Sequence, residues 1–112
     1  MKEVRAPAAA GESELHALIA QKLSENGIEF VHEAKIGSGK RADFLIGSVV
    51  VEIKKSKPVR SALLGQVTRY LSEEGVCAAI VVMQTRVPLP ARICGKPVFT
   101  LPLNRLWGIA LG

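Results

Sequence analysis

The segment from residue 43 to residue 54 constrains the fold of this 112-residue chain more than any other stretch. It reads Asp-Phe-Leu-Ile-Gly-Ser-Val-Val-Val-Glu-Ile-Lys, with two short apolar runs at 44–46 and 49–51 on either side of Gly47-Ser48. Apolar runs separated by two turn-forming residues are typical of a β-hairpin, in which glycine supplies the positive φ of the turn. The segment therefore predicts two adjacent antiparallel strands.

The register of this hairpin brings charged side chains together. If Ile46 pairs with Val49, then Asp43 lies directly across from Glu52. Cross-strand partners have Cβ atoms roughly 4.5–5.5 Å apart, and like charges placed there destabilise a sheet unless something bridges them. A divalent cation is a natural bridge. Since side chains alternate along a strand, Lys54 shares a face with Glu52, and two carboxylates and an ammonium converge.

Metal-assisted hydrolysis of phosphodiesters requires such a trio. Mg²⁺ takes oxygen ligands and is usually held by one or two carboxylates together with waters and substrate phosphate. Lys54 could orient or help deprotonate a metal-bound water and could neutralise charge on the phosphate. The alternative is a surface hairpin in which Lys54 simply pairs with Glu52. The apolar strand, the basic residues after it and a helix carrying Gln66 downstream favour the catalytic interpretation.

An Asp, a variable gap and a Glu-x-Lys on the next strand resemble the signature of the PD-(D/E)XK nuclease superfamily. The residues in question are Asp43, Glu52 and Lys54, with Ala42 where a proline sometimes precedes the aspartate. The resemblance implies a Mg²⁺-dependent nuclease, with Mn²⁺ able to substitute, that hydrolyses DNA rather than RNA and leaves 5′-phosphate and 3′-hydroxyl ends. By the same resemblance, Asp43, Glu52 and the Ile53 carbonyl bind the metal and Lys54 serves the attacking water.

Two further catalytic residues are expected from the resemblance. Many members of the superfamily carry a glutamate on the first helix that approaches the metal, and Glu14 is preferred here over Glu12, which lies at the start of the helix beside Gly11. Either acid could instead be a favourable charge at a helix N-terminus. Gln66, with Tyr70 four residues later, resembles a glutamine that some branches place near the site, where it would hold the lysine or a phosphate oxygen. Its alternative role is an exposed helix residue.

The charge of the chain favours a polyanionic partner. The formal net charge is +5, and basic residues concentrate in the middle of the sequence. Basic side chains beside a metal site suit a phosphate backbone, whose contacts position a substrate without reading its sequence. The alternative is a lysine-rich face that serves solubility. The predicted DNA-binding residues are Lys35, Lys40, Arg41, Lys55, Lys57 and Arg60.

Periodicity predicts one α/β domain at residues 12–112 after a flexible leader at 1–11. The expected order is helix, three strands, helix, strand, with a mixed central sheet flanked by helices. This α-β-β-β-α-β order is similar to the restriction-endonuclease-like core of the superfamily. The predicted elements are a helix at 12–26, a strand at 28–36, the two hairpin strands, a helix from Ala62 that ends near Gly75, and a buried strand from Cys77 to Met83.

The remainder of the chain is interrupted by four prolines. Its short apolar pieces, at 98–103 and 106–111, suggest edge strands or an interface. Trp107 is either a core residue or an anchor in a homodimer. A small stand-alone nuclease domain suits a homodimer that cuts both strands of DNA.

The other chemically reactive residues suggest no additional site. Cys77 and Cys94 are too few and too far apart for a zinc knuckle or a redox pair, which favours a reduced, cytoplasmic protein. His16 and His32 form no recognisable ligand cluster and are expected to be surface or packing residues. No segment has the length of a membrane span, and the N-terminal residues do not form a signal peptide. The competing functional hypothesis is a non-catalytic DNA-binding or assembly protein that retains the fold.

Overall fold

A computed structural model describes residues 12–37 and 39–103 as an α/β structure with two helices and one mixed sheet. The predicted element order is confirmed over residues 12–84; the leader, Ser38, residues 106–111 and Trp107 lie outside the described residues. No helix among the described residues is long and apolar enough to cross a membrane. The elements are α1 (Glu12–Glu25), β1 (Val31–Ile36), β2 (Lys40–Ile46), β3 (Val49–Lys54), α2 (Arg60–Leu71), β4 (Ala78–Met83), β5 (Arg92–Ile93) and β6 (Lys96–Pro102).

The hairpin between β2 and β3 has the predicted register. Ile46 pairs with Val49, and Gly47 has a φ of +62° in the turn. The antiparallel pairing runs back from the turn and ends at Phe44 and Val51. Asp43 and Glu52 are therefore the first residues beyond the paired segment, where their side chains are available for contacts other than the strand ladder.

The sheet has six strands in the order β1-β2-β3-β4-β6-β5. Strands β3, β4 and β6 are parallel, and the other neighbours are antiparallel. Over residues 99–102, β6 pairs with β4 on one side only, because the two-residue strand β5 pairs with just Lys96 and Pro97. Among the described residues, this part of β6 is therefore an edge, which is one of the two predicted alternatives. Pro97 and Pro102 fall near the two ends of β6, so the residues between them can still donate hydrogen bonds to neighbouring strands.

Each face of the sheet packs against one helix. On one face, Leu63, Val67 and Leu71 of α2 belong to a core cluster that includes Val50 of β3. On the other face, α1 packs against apolar side chains from β2, β3 and β4. The buried members of that second cluster are Leu15, Ile19, Phe44, Val51, Ile53, Val82 and Leu103. Because β3 sends alternate residues to the two helices, it is buried on both faces, as its apolar composition requires.

The outer hairpin of β1 and β2 changes face halfway along its length. His32 contacts Phe44 on the α1 side, whereas Ala34 and Ala42 belong to the cluster on the α2 side. Residues two apart in a regular strand share a face, so the alternation is broken at the residue between them. That residue, Glu33, has a φ of +55°, in the left-handed region that non-glycine residues seldom occupy. The break lies opposite Asp43.

Candidate active site

Two hydrogen bonds from main chain to carboxylate link Asp43 to Glu52 and to Ile53 at the end of the β2–β3 ladder. The backbone N–H of Asp43 donates to Glu52 Oε1 over 3.1 Å, and the backbone N–H of Ile53 donates to Asp43 Oδ2 over 2.8 Å. Each carboxylate thus takes the place of a main-chain carbonyl from the neighbouring strand. The structure therefore brings together the two acids that the hairpin register predicts, and it fixes one oxygen of each.

Glu52 is a buried carboxylate surrounded by hydrogen-bond donors. Its residue is only 5% exposed. Burial, followed by repulsion from Asp43, raises the pKa of Glu52 above its ordinary value, and the hydrogen bond from the Asp43 N–H and the positive charge of Lys54 act in the opposite direction. A buried carboxylate that remains ionised at neutral pH needs nearby positive charge, and a bound cation would supply more of it than Lys54 alone.

Lys54 lies next to Glu52 on the α2 side of β3. Its Nζ is 3.4 Å from Glu52 Oε2, and its side chain is about one quarter exposed, at 28%. The ammonium therefore contacts both the buried acid and solvent. This geometry suits a lysine that acts on a phosphate or a water beside the metal, and it also satisfies the alternative of a plain ion pair.

Gln66 and Tyr70 hold Glu52 from helix α2. Gln66 Nε2 donates to Glu52 Oε2 and to the Tyr70 hydroxyl, over 3.1 Å in each case. The Tyr70 hydroxyl lies 2.8 Å from the Arg41 carbonyl and 3.2 Å from Glu52 Oε1, so it can donate its single proton to either oxygen. Burial, with the charge of Glu52, raises the pKa of Tyr70 and keeps it protonated. Gln66 contacts the acid and not Lys54, which was one of the two partners expected from the sequence; the other was a phosphate oxygen.

His16 is the residue of α1 that the structure shows against Asp43. Its Nε2 is 3.6 Å from Asp43 Oδ1, and the residue is only 7% exposed. Glu14, the predicted helix acid, is exposed. At 100° per residue, it points about 200° away from His16 around the helix axis, so the structure does not bring it to Asp43. Glu12 begins the helix, and its side chain lies outside those described.

Sequence reasoning did not identify His16 as a site residue, although a signal was present. His16 lies next to Leu15 and three residues before Ile19, both of which are buried in the core cluster under α1. A titratable side chain on the buried stripe of a helix needs a polar partner inside the protein. The helix pattern therefore predicted that His16 has a polar partner inside the protein, but it did not identify that partner.

The donors around the two acids fit Mg²⁺ or Mn²⁺. The available groups are carboxylate oxygens and a main-chain carbonyl, which are the ligands these ions prefer. The N–H of Ile53 points to Asp43, and the N–H and C=O of one strand residue face the same neighbour, so the Ile53 carbonyl also faces the β2 side. Pairing with β2 has already ended at this level. Asp43, Glu52 and the Ile53 carbonyl would hold the ion.

The predicted DNA-binding residues occupy different environments. Lys35 and Arg41 are cross-strand partners at the outer hairpin, and both are exposed. Like charges placed opposite one another repel, which an anion between them would offset. Lys40 instead forms a 2.8 Å ion pair with Glu73. After β3, Lys55 is half-buried, Lys57 is exposed, and the exposed Arg60 donates from Nε to the Pro88 carbonyl over 2.8 Å.

The chain matches no family model, no curated protein and no solved structure in the three comparisons made. Neither the restriction-endonuclease-like fold nor the superfamily is established by relatives. The geometry of Asp43, Glu52, Lys54 and their neighbours is therefore the basis for assigning a function.

Proposed function

We propose that the chain is a PD-(D/E)XK-type nuclease that hydrolyses phosphodiester bonds of DNA. The observation that carries this proposal is the meeting of two carboxylates at the end of the β2–β3 ladder, where Glu52 accepts the Asp43 N–H, Asp43 accepts the Ile53 N–H, and Lys54 lies beside Glu52. The α-β-β-β-α-β order of the first six elements is consistent with a restriction-endonuclease-like core. A Mg²⁺ ion bound by these acids would supply a Lewis acid for the phosphate and lower the pKa of a water.

Asp43, Glu52 and Lys54 would have different roles in this chemistry. Asp43, with Oδ2 fixed by the Ile53 N–H, presents Oδ1 as an oxygen ligand. Glu52 is held by Gln66 and Tyr70, so contacts from α2 fix the position of the second carboxylate ligand. Lys54 reaches solvent beside Glu52, where its ammonium can orient the attacking water or offset charge on the phosphate.

The proposed substrate is DNA because basic side chains lie on both sides of the acids. Lys35 and Arg41 project from the outer hairpin, Lys57 follows β3, and Arg60 is the first residue of α2. Such residues supply the phosphate contacts that dominate affinity for nucleic acids. We further propose a homodimer, since two copies would present two such sites to the two strands of a duplex.

The second candidate function is a DNA-binding or assembly protein without catalysis. The observation that favours it is that Glu52 already has donors in the Asp43 N–H, Gln66 and Tyr70 and an ion pair with Lys54. These contacts stabilise the acid without any metal. Under this hypothesis, the cluster is a structural ion pair and the basic residues provide the whole function.

Cleavage assays distinguish the two functions. The purified chain is incubated with a four-way junction, a flap, single-stranded DNA and a duplex in Mg²⁺, Mn²⁺ or EDTA. We expect metal-dependent cleavage of at least one substrate that Asp43→Asn and Glu52→Gln abolish, while DNA binding by both variants is retained. Glu74→Gln, which removes an exposed carboxylate, is the matched control and should remain active. Undiminished cleavage by either site variant would exclude the proposed site.

A further inference from the structure

Three potential metal ligands meet beside Asp43, on the α1 side of the sheet. His16 Nδ1 lies 3.0 Å from His32 Nε2, and Glu33 Oε2 lies 3.9 Å from each of these nitrogens. His16 is buried, whereas His32 and Glu33 are exposed. The three residues come from α1 and from the edge strand β1, so folding is what brings them together. Their chemistry differs from the all-oxygen donor set of Asp43, Glu52 and Ile53.

We propose that His16, His32 and Glu33 form a binding site for a divalent transition metal, with Zn²⁺ as the expected ion. Two imidazoles and one carboxylate are a ligand set that Zn²⁺ takes in enzymes, with the fourth position left to water or another molecule. Mg²⁺ prefers oxygen ligands and would not compete well here. The site adjoins Asp43 through His16, but zinc binding does not require the proposed nuclease function.

The spacing of the three atoms suits a zinc ion. A triangle with sides of 3.0, 3.9 and 3.9 Å has a centre about 2.1 Å from each corner, within the roughly 2.0–2.2 Å of Zn–N and Zn–O bonds. Glu33 is exposed at the edge of the sheet, so its carboxylate can shift to give a tetrahedral arrangement. The ion would face solvent on the side of His32 and Glu33.

The backbone at Glu33 makes this convergence possible. Adjacent side chains of a regular strand point to opposite faces, so His32 and Glu33 could not both approach His16. With φ at +55°, Glu33 leaves the strand conformation, and its carboxylate lies within 3.9 Å of the imidazoles of both histidines. Unusual backbone conformations of non-glycine residues are concentrated at functional sites. The strained residue is thus a second, independent indication of a ligand site.

The buried nitrogen of His16 supplies a third indication. His16 Nε2 has no hydrogen-bond partner among the described groups and lies 3.6 Å from Asp43 Oδ1. Metal ligation through Nδ1 would fix the proton on Nε2, where it points at this carboxylate. Ligating histidines commonly donate their second nitrogen to a carboxylate, which fixes the ring and strengthens the ligand. Zinc binding would therefore give the orphaned nitrogen a defined partner.

Calorimetric titration with Zn²⁺ tests this site in a Cys77→Ser, Cys94→Ser background, which removes both exposed thiols as competing ligands. We expect one Zn²⁺ per chain, and Co²⁺ in its place should give the visible absorption of a tetrahedral complex. His32→Phe keeps a ring stacked on Phe44, now 4.8 Å between centroids, but removes the ligand. It should weaken binding by more than the roughly 10- to 100-fold typical of losing an outer-shell partner.

Two further variants distinguish metal ligation by Glu33 from a general effect of removing an exposed acid. Glu33→Gln should also weaken Zn²⁺ binding, whereas Glu29→Gln, an exposed acid two residues before β1, should not. Saturating Zn²⁺ should raise the melting temperature of the cysteine-free parent more than that of His32→Phe, since a ligand stabilises only the state that binds it. Absence of both Zn²⁺ heat and Co²⁺ absorption in the parent would overturn the proposal. So would equal affinity in His32→Phe.

Discussion

Two opposing effects act on the carboxylate of Glu52: hydrogen bonds stabilise it, and burial destabilises its charge. Its position beyond the last β2–β3 pair lets it accept the Asp43 N–H, but the same position buries its charge under α2. Donors from Gln66 and Tyr70 offset part of the lost hydration. Repulsion by Asp43 and burial still raise the pKa of Glu52. The residue is therefore held in place by contacts that a bound cation would complement.

The raised pKa predicts how stability depends on pH. The folded chain holds a proton on Glu52 at pH values where the unfolded chain, with an ordinary pKa of 4.5, has lost it. The stability that this group contributes is fully present below the unfolded pKa and is lost as pH rises through the folded one. The quantity to measure is the free energy of unfolding of the parent minus that of Glu52→Gln, both in EDTA. We expect this difference to fall as pH rises from 4.5 toward neutrality.

Urea unfolding of both proteins across that pH range measures the difference. Glu74→Gln serves as a reference for the loss of an exposed carboxylate. A difference that rises with pH would mean that the contacts of Glu52 favour its ionised form over the protonated one. The assigned cause, burial beside Asp43, would then be incorrect.

Substitution of Lys54 distinguishes a catalytic role of this residue from a purely ion-pairing role. If its ammonium acts on water or phosphate, Lys54→Ala should lower turnover by about 10²-fold or more, the effect of removing a positioned acid-base or electrostatic group. Metal affinity should hold or rise, because a positive charge 3.4 Å from a ligand oxygen has been removed. Single-turnover kinetics together with Mn²⁺ calorimetry make the comparison. Loss of Mn²⁺ binding in parallel with activity would show that Lys54 only maintains Glu52.

At the level of elements, the hairpin turn depends on one glycine. Gly47 has a φ of +62° and nothing within 4 Å of a Cβ placed there, so Gly47→Ala adds backbone strain without a clash. We expect a loss of about 1–2 kcal/mol in the free energy of unfolding, measured by urea denaturation. Gly75→Ala is the control, since Gly75 has equal space and no positive φ. If the two substitutions lowered the free energy of unfolding equally, the positive φ of Gly47 in the turn would not be the cause of the loss.

Local patterns predicted the hairpin, but pairings between distant segments were not predictable in the same way. Ile46 opposite Val49 follows from a two-residue turn, and Asp43 opposite Glu52 then follows by counting. The place of β6 beside β4 depends on a parallel crossover, which local patterns do not specify. His16 and His32 are sixteen residues apart, and their contact depends on the packing of α1 and on the left-handed backbone at Glu33. His16 is a packing residue and His32 a surface residue, as the sequence predicted, but their 3.0 Å contact was not predicted.

At the level of the whole molecule, the positive charge is divided into two separate groups. One group, Lys35 and Arg41, lies on the outer hairpin, and the other consists of Lys57, which follows β3, and Arg60, which begins α2. Lys40 is already neutralised by Glu73, so it is a weaker candidate for phosphate contact than its sequence position suggested. Because β2 and β3 are antiparallel, both groups lie at the end of the sheet where β2 begins and β3 ends, and a double variant of each group tests it separately.

Salt dependence distinguishes phosphate contacts from a merely soluble surface. If both residues bind phosphates, Lys57→Ala with Arg60→Ala should reduce the slope of log K against log salt by about 0.9 for each phosphate that is no longer neutralised, on any duplex sequence. Fluorescence anisotropy on two unrelated duplexes provides the slopes. Lys35→Ala with Arg41→Ala tests the other group, and Arg92→Ala, at the opposite edge of the sheet, is the control. Unchanged affinity and slope in a double variant would assign that group to solubility.

The hydrogen bonds that the Asp43 and Glu52 carboxylates accept from backbone N–H groups also make the main chain a reporter of the site. The amide protons of Asp43 and Ile53 are held by carboxylates, not by the carbonyls that protect most strand amides. Their rates of exchange with solvent deuterium should therefore respond when an ion or a proton draws those carboxylates away, while amides deeper in β3 keep their protection. Two backbone nuclei would thus record occupancy of the site without any label or substrate.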